Sequence, residues 1–171
     1  MASELLDCFY SRLGKLGIVE DELSKVGLFD AFEAALSRLP QQEHALMEVM
    51  LPDMGFYVRT AVLPADSVLI SNRHGTWHPF IIRKGRGLVI EEIDGVQTEV
   101  YEYIAGGYGE HEHFTKLTKP GTRRIILVVE ETEWTTFHAT DKESPYEIMK
   151  SIIVPNTNPL LSDDSKKLYT A

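Results

Sequence analysis

Val89-Ile90-Glu91-Glu92-Ile93-Asp94-Gly95-Val96-Gln97-Thr98-Glu99-Val100 sets two runs of strand-forming residues on either side of an Asp-Gly pair. Glycine supplies the positive φ that a two-residue hairpin turn demands, so this stretch is expected to double back on itself as an antiparallel pair. Outward from it the same texture continues. From Phe56 onward the apolar period is two, β-branched residues are frequent, and turn signals split the chain into short runs spaced as in sandwiches and barrels. Strands are expected near 57–63, 67–73, 77–83, 86–93, 96–103, 113–118, 123–130 and 133–138. Pro64-Ala65-Asp66 and Pro120-Gly121 mark further turns, and Ala105-Gly106-Gly107-Tyr108-Gly109 reads as a loop.

Before Phe56 the pattern is different. Leu5, Leu6, Phe9, Leu13 and Leu16 recur at helical steps until Gly14 and Gly17 break the run. Asp21 can cap a second helix, whose stripe is Val26, Phe29, Phe32, Ala35, Leu36 and Leu39 and which Pro40 terminates. A third short helix is expected over Gln41 to Met50. The organisation expected is therefore a helical extension (1–52) packing on the barrel or on a second copy, a β-barrel (53–144) and a tail (145–171). One helical turn is expected after Pro145, and the segment from Ser162 is too polar to predict order. The fold class is mainly β with an α-helical N-terminal extension.

Seventeen basic against twenty-six acidic side chains in 171 residues leave a formal charge of −9, which offers no electrostatic footprint for nucleic acid or for an anionic membrane surface. No apolar run approaches a bilayer span, and Met1 to Asp7 lacks the basic start and apolar core of an export signal, so a cytoplasmic protein is expected. Cys8, the single cysteine, can form neither an internal disulfide nor a thiolate zinc site, so any metal must rely on histidine and carboxylate. The chain has no phosphate-binding Gly-rich loop ending in Lys-Ser/Thr, no Gly-x-Ser-x-Gly elbow and no His-Glu-x-x-His helix. These absences remove P-loop hydrolysis, esterase chemistry and zincin proteolysis.

Tyr57-Val58-Arg59, Leu63 to Leu69, His78 ahead of Ile81-Ile82-Arg83-Lys84-Gly85, Pro120-Gly121-Thr122-Arg123-Arg124 and Trp134-Thr135-Thr136-Phe137-His138 follow one another in an order that resembles the cupin superfamily. Within it they resemble the short cupin-domain proteins of tailed phages, over about half the chain. The resemblance implies an antiparallel jelly-roll barrel, and for a phage-encoded chain the host cytoplasm. It also implies where metal ligands would stand. The early histidine pair of metal-binding cupins falls on Thr76 and His78, and the later histidine falls on Arg124, whose fixed charge opposes a cation. A reduced set of His78 and His138, aided by His74, remains for one divalent transition metal: zinc, iron, nickel or manganese.

Other residues invite a second reading. Trp134, Thr136 and His138 alternate onto one strand face, and Arg124, Ile126 and Val128 onto one face of the run before it. Were both faces internal, an aromatic plate, a guanidinium, a hydroxyl and an imidazole would suit a planar anionic molecule, with Tyr103 adding an aromatic wall. Otherwise Trp134 is core and Arg124 reaches to a barrel rim. Glu110-His111-Glu112-His113 looks like an insertion, either a solvated loop or a source of further ligands. Three functions follow: a small-molecule-binding protein, for a phage an accessory or anti-defence factor that sequesters a ligand; a metal-dependent cupin enzyme, oxygenase or isomerase; and a scaffold, in which the N-terminal helices make a homodimer or partner contact.

Overall fold

The computed structural model describes residues 7, 11, 14, 27–41, 44–107 and 112–163. Most of the expected first helix, His111 and the last residues of the tail lie outside that set. The described elements, in chain order, are helix α1 (Leu28–Leu36), strand β1 (Ala45–Leu51), a 3-10 turn (Pro52–Met54), β2 (Phe56–Leu63), β3 (Val68–Ile70), β4 (His78–Ile93), β5 (Val96–Ala105), β6 (Phe114–Thr118), β7 (Thr122–Ala139) and helix α2 (Pro145–Ile152).

All strand pairing is antiparallel. The sheet runs β1-β2-β7-β4-β5, with β3 also on β7 and β6 also on β4. The two long strands β4 and β7 run beside each other for their whole length. Each takes two short partners on its other edge, so the sheet wraps into a jelly roll. Wrapping requires the long strands to bend, and the β4–β7 register shifts three times between Ile82 and Gly87. Gly85 sits at that corner with φ 110°, and a Cβ there would overlap Thr132 and the Glu131 carbonyl, so glycine is demanded twice over. The corner explains why the strands expected at 77–83 and 86–93 are one bent strand, as are those expected at 123–130 and 133–138. The Asp94-Gly95 hairpin forms as expected, with both residues at positive φ.

One expectation is overturned. Residues 45–51 are not a helix but strand β1, paired along its length with β2 from Ala45↔Val62 to Leu51↔Phe56. Ala, Leu, Met and Glu favour helix in isolation, but a sheet edge offers this segment a ladder of backbone partners, and tertiary pairing overrides a weak local preference. The sheet therefore begins inside the segment expected to be a helical extension.

The two helices cover different ends of the roll. Phe29 and Phe32 of α1 are buried against Ile70, Ile90 and Ile125. Truncating a fully buried Phe such as Phe32 typically costs about 3–5 kcal/mol. Ser144 caps α2 by accepting from the Glu147 amide, Pro145 starts it, and Ile148 and Ile152 pack on Tyr57. Between them Leu63, Phe80, Ile82, Val89, Tyr103, Ile126, Val128 and Trp134 fill the barrel interior. Among the described residues no helix is long and apolar enough to cross a membrane.

Candidate functional site

Side chains alternate across a strand, so the pairing register alone dictates which residues share the interior. Across β2 and β7 the inward pairs are Tyr57 with His138, Arg59 with Thr136, and Ala61 with Trp134. Across β7 and β4, Thr136 stands opposite Phe80 and Trp134 opposite Ile82. Moving along β2, the interior therefore changes from polar at Tyr57 and Arg59 to apolar at Ala61 and Leu63. A cavity of about 540 Å³ opens along this gradient. Its far wall is Leu69, Ile70 and Ile126. Leu36 at the end of α1, Leu39 and Pro40 just after it, and Met149, Ile152 and Ile153 around α2, roof it over.

Three imidazoles meet at the polar end. The ring centroid of His78 lies 4.4 Å from that of His74 and 4.4 Å from that of His138, while His74 and His138 are 5.9 Å apart. His78 opens β4. His74 is on no strand; its loop is pinned by hydrogen bonds from the His74 amide to the Thr122 carbonyl and from the Gly121 amide to the His74 carbonyl, and by a bridge to Ile153. Burial pushes all three pKa values down: His74 to about 2, with the neighbouring imidazoles and guanidiniums adding to it; His138 to about 3, with His78 and Arg59 contributing; and His78 to about 4, although its contact with the Thr76 carbonyl acts the other way. At neutral pH the cluster is uncharged. His74 Nδ1 and His138 Nδ1 are buried without a hydrogen-bond partner among the described residues.

Whether a metal fits this cluster depends on donors and charge. Neutral imidazoles and two orphaned nitrogens are suitable chemistry. The placement is not: among the described residues no group of three His, Cys, Asp or Glu side chains is set to hold a metal ion. The nearby carboxylates are engaged, Glu91 with Arg124 and Glu48 with the Tyr57 phenol, and two guanidiniums face the same space. His74, His78 and His138, the residues expected as metal ligands, stand together, but they do not form a complete ligand set among the described residues.

The expected ligand-binding residues separate. Trp134 and Thr136 line the cavity, and Trp134 stacks on Phe80 at 4.5 Å. Tyr103 does not line it. Its ring stands edge-on to Trp134 and its hydroxyl bonds Thr132 Oγ1 at 2.9 Å in the core, where burial raises its pKa to about 12. Arg124 reaches the cavity wall with its charge already answered. Its Nε donates to Glu91 Oε2 at 2.8 Å, its Nη2 donates to Thr118 Oγ1 at 3.0 Å, and the guanidinium lies over Phe80. Neither a free anion-binding arm nor a rim residue describes it. His113 is exposed.

Arg59 is the residue that sequence reasoning missed. It is half-buried, lines the cavity and forms no ion pair among the described residues, its one side-chain hydrogen bond going from Nη1 to Met149 Sδ at 3.3 Å. The available signal was parity. Tyr57, Arg59, Ala61 and Leu63 must share a face, and Leu63 could only be core.

No family model matches the chain, and no curated protein matches it either. Its neighbours among solved structures include cupins. A cupin domain from Schizosaccharomyces pombe is 15% identical over 62% of this chain and 67% of its own, with a TM-score of 0.43. An RmlC-like cupin with a double-stranded β-helix fold from Methanocaldococcus jannaschii is 14% identical over 61% and 86%, with a TM-score of 0.42. A variant of oxalate decarboxylase from Bacillus subtilis is 12% identical over 67% of this chain but only 29% of its own, with a TM-score of 0.49.

Proposed function

We propose that this protein is a jelly-roll binding protein that captures a small anionic molecule. The observation that carries the proposal is the cavity itself: about 540 Å³, apolar along most of its walls, with imidazoles and guanidiniums converging at one end. Preformed apolar pockets with a few convergent polar groups are what small-molecule sites look like, and the charge of Arg59, which forms no ion pair among the described residues, favours an anion at the polar end. Sequestration is the role the phage-like sequence resemblance supports, because binding without turnover needs only the pocket. The test is native mass spectrometry on tag-free protein purified without chelator. A retained small molecule, or a melting shift with members of an anion panel, is expected; absence of both overturns the proposal.

The orphaned Nδ1 atoms of His74 and His138 favour a second reading, in which His74, His78 and His138 take up one divalent transition metal. Metal analysis of the same preparation separates the two readings: a near-stoichiometric metal lost in His78→Ala supports this one, and metal-free protein that binds its anion removes it.

A further inference from the structure

We propose that the ligand is a monocarboxylate with an apolar body, its carboxylate held by Arg59 and its body lying along Ala61, Trp134 and Leu63. This inference rests on the binding function proposed above and narrows it to one chemical class.

The head group follows from which charge is unanswered. Two guanidiniums reach the cavity. Arg124 is held by Glu91 and Thr118, so recruiting it would cost the buried Glu91 its 2.8 Å partner and leave it only Lys116 at 3.7 Å. Among the described residues Arg59 has no such commitment: the thioether of Met149 is a weak acceptor and is no substitute for an anion. Glu48 stands opposite Arg59 in the β1–β2 register, yet its carboxylate takes the Tyr57 hydroxyl and forms no ion pair with Arg59 among the described residues. A planar, two-oxygen anion matches the guanidinium fork, which favours a carboxylate. A phosphate dianion fits less well, because only one guanidinium is unpaired and the Glu48 carboxylate stands beside it.

The body follows from the alternation along β2. Two residues beyond Arg59 the inward position is Ala61, the smallest side chain of the row, and it faces Trp134. Two further on it is Leu63, with Leu69 and Ile126 on the opposite wall. From Arg59 to Leu63 the strand rises roughly 13 Å, room for an extended chain of about eight carbons. No carboxylate other than Asp66, exposed in the turn after β2, lines the cavity among the described residues. The wall beyond Arg59 therefore rewards apolar surface.

Octanoate and octanamide, which differ only in charge, are the probes, titrated by calorimetry into the full chain. Octanoate is expected to bind at least tenfold more tightly than octanamide, and tightening by up to about fourfold per methylene is expected from butanoate to octanoate. Arg59→Gln should remove the charge preference, and Arg59→Lys should keep most of it. Equal affinity for the two probes, or a preference untouched in Arg59→Gln, overturns the assignment. The probe comparison in the unmodified protein stands even if a variant does not fold. Should neither probe bind while another small molecule does, the carboxylate inference fails and the binding function survives. If nothing binds, both fail.

Discussion

Arg123 and Arg124 are adjacent on β7 and point to opposite sides of it, into two buried polar regions that could hardly be less alike. On the outer side Arg123 donates to Asp30 at 2.8 Å and Glu33 at 3.3 Å, and its Nε lies 3.2 Å from Glu92, close enough to pair without hydrogen-bond geometry. Asn156 and Asn158 add hydrogen bonds to Glu33, and Arg73 holds Glu92 at 2.7 Å. This network joins α1, β4, β7 and the segment after α2. On the inner side, past the Arg124–Glu91 pair, lie two imidazole nitrogens without hydrogen-bond partners and a guanidinium without an ion pair among the described residues, beside open space. Buried polar groups that are satisfied hold a structure together, whereas buried polar groups without protein partners beside a cavity are open to water, an ion or a ligand.

Substitutions should expose that difference. The largest effect is expected from Arg123→Ala, which leaves Asp30, Glu33 and Glu92 facing one another. Breaking a buried pair in this way costs about 3–5 kcal/mol, read as a lower urea midpoint with ligand binding intact in the folded fraction. A loss below about 1 kcal/mol would mean that the network does not staple the helix to the roll.

Acid should find the inner region next. The folded pKa values of His74, His78 and His138 lie below the ordinary 6.5, so between pH 6.5 and about 4 the unfolded chain binds more protons than the folded one. Stability contributed by these groups is complete above 6.5 and falls as pH drops through it. Glu92, raised by burial, acts in the opposite sense at lower pH, so the clean observable is the difference between the natural chain and His138→Leu. The variant should lose less stability than the natural chain between pH 7 and 5.5; parallel profiles would place His138 in contact with water. The smallest effect is expected from Arg59→Gln, which breaks no ion pair: within about 1 kcal/mol of unchanged stability. A loss near that of Arg123→Ala would make Arg59 part of the scaffold and erase the contrast.

Much of this was legible in the residues, and the misses have specific causes. The Asp94-Gly95 hairpin depends on backbone conformations only a few residues tolerate, so it could be read locally. The imidazole cluster was legible only as an expectation, since His74 reaches it from a pinned loop and not from a shared strand face. Tyr103 has the parity of an interior residue, but its register partner across the β4–β5 hairpin is Gly87, whose missing side chain lets the ring sink into the core, and its hydroxyl ends on Thr132 of β7. Arg124 looked like a free charge because its partner, Glu91, is thirty-three residues away in sequence.

By itself the sequence determined the β class, most strand positions and the hairpin, because alternation and turn chemistry act over a few residues. Only the tertiary structure decided that Ala45–Leu51 joins the sheet, that β4 and β7 are single bent strands, which of two arginines is already paired, and that the helices roof a cavity. Those outcomes depend on register and on contacts between residues far apart in the chain, and a pairing between two strands belongs to neither strand alone.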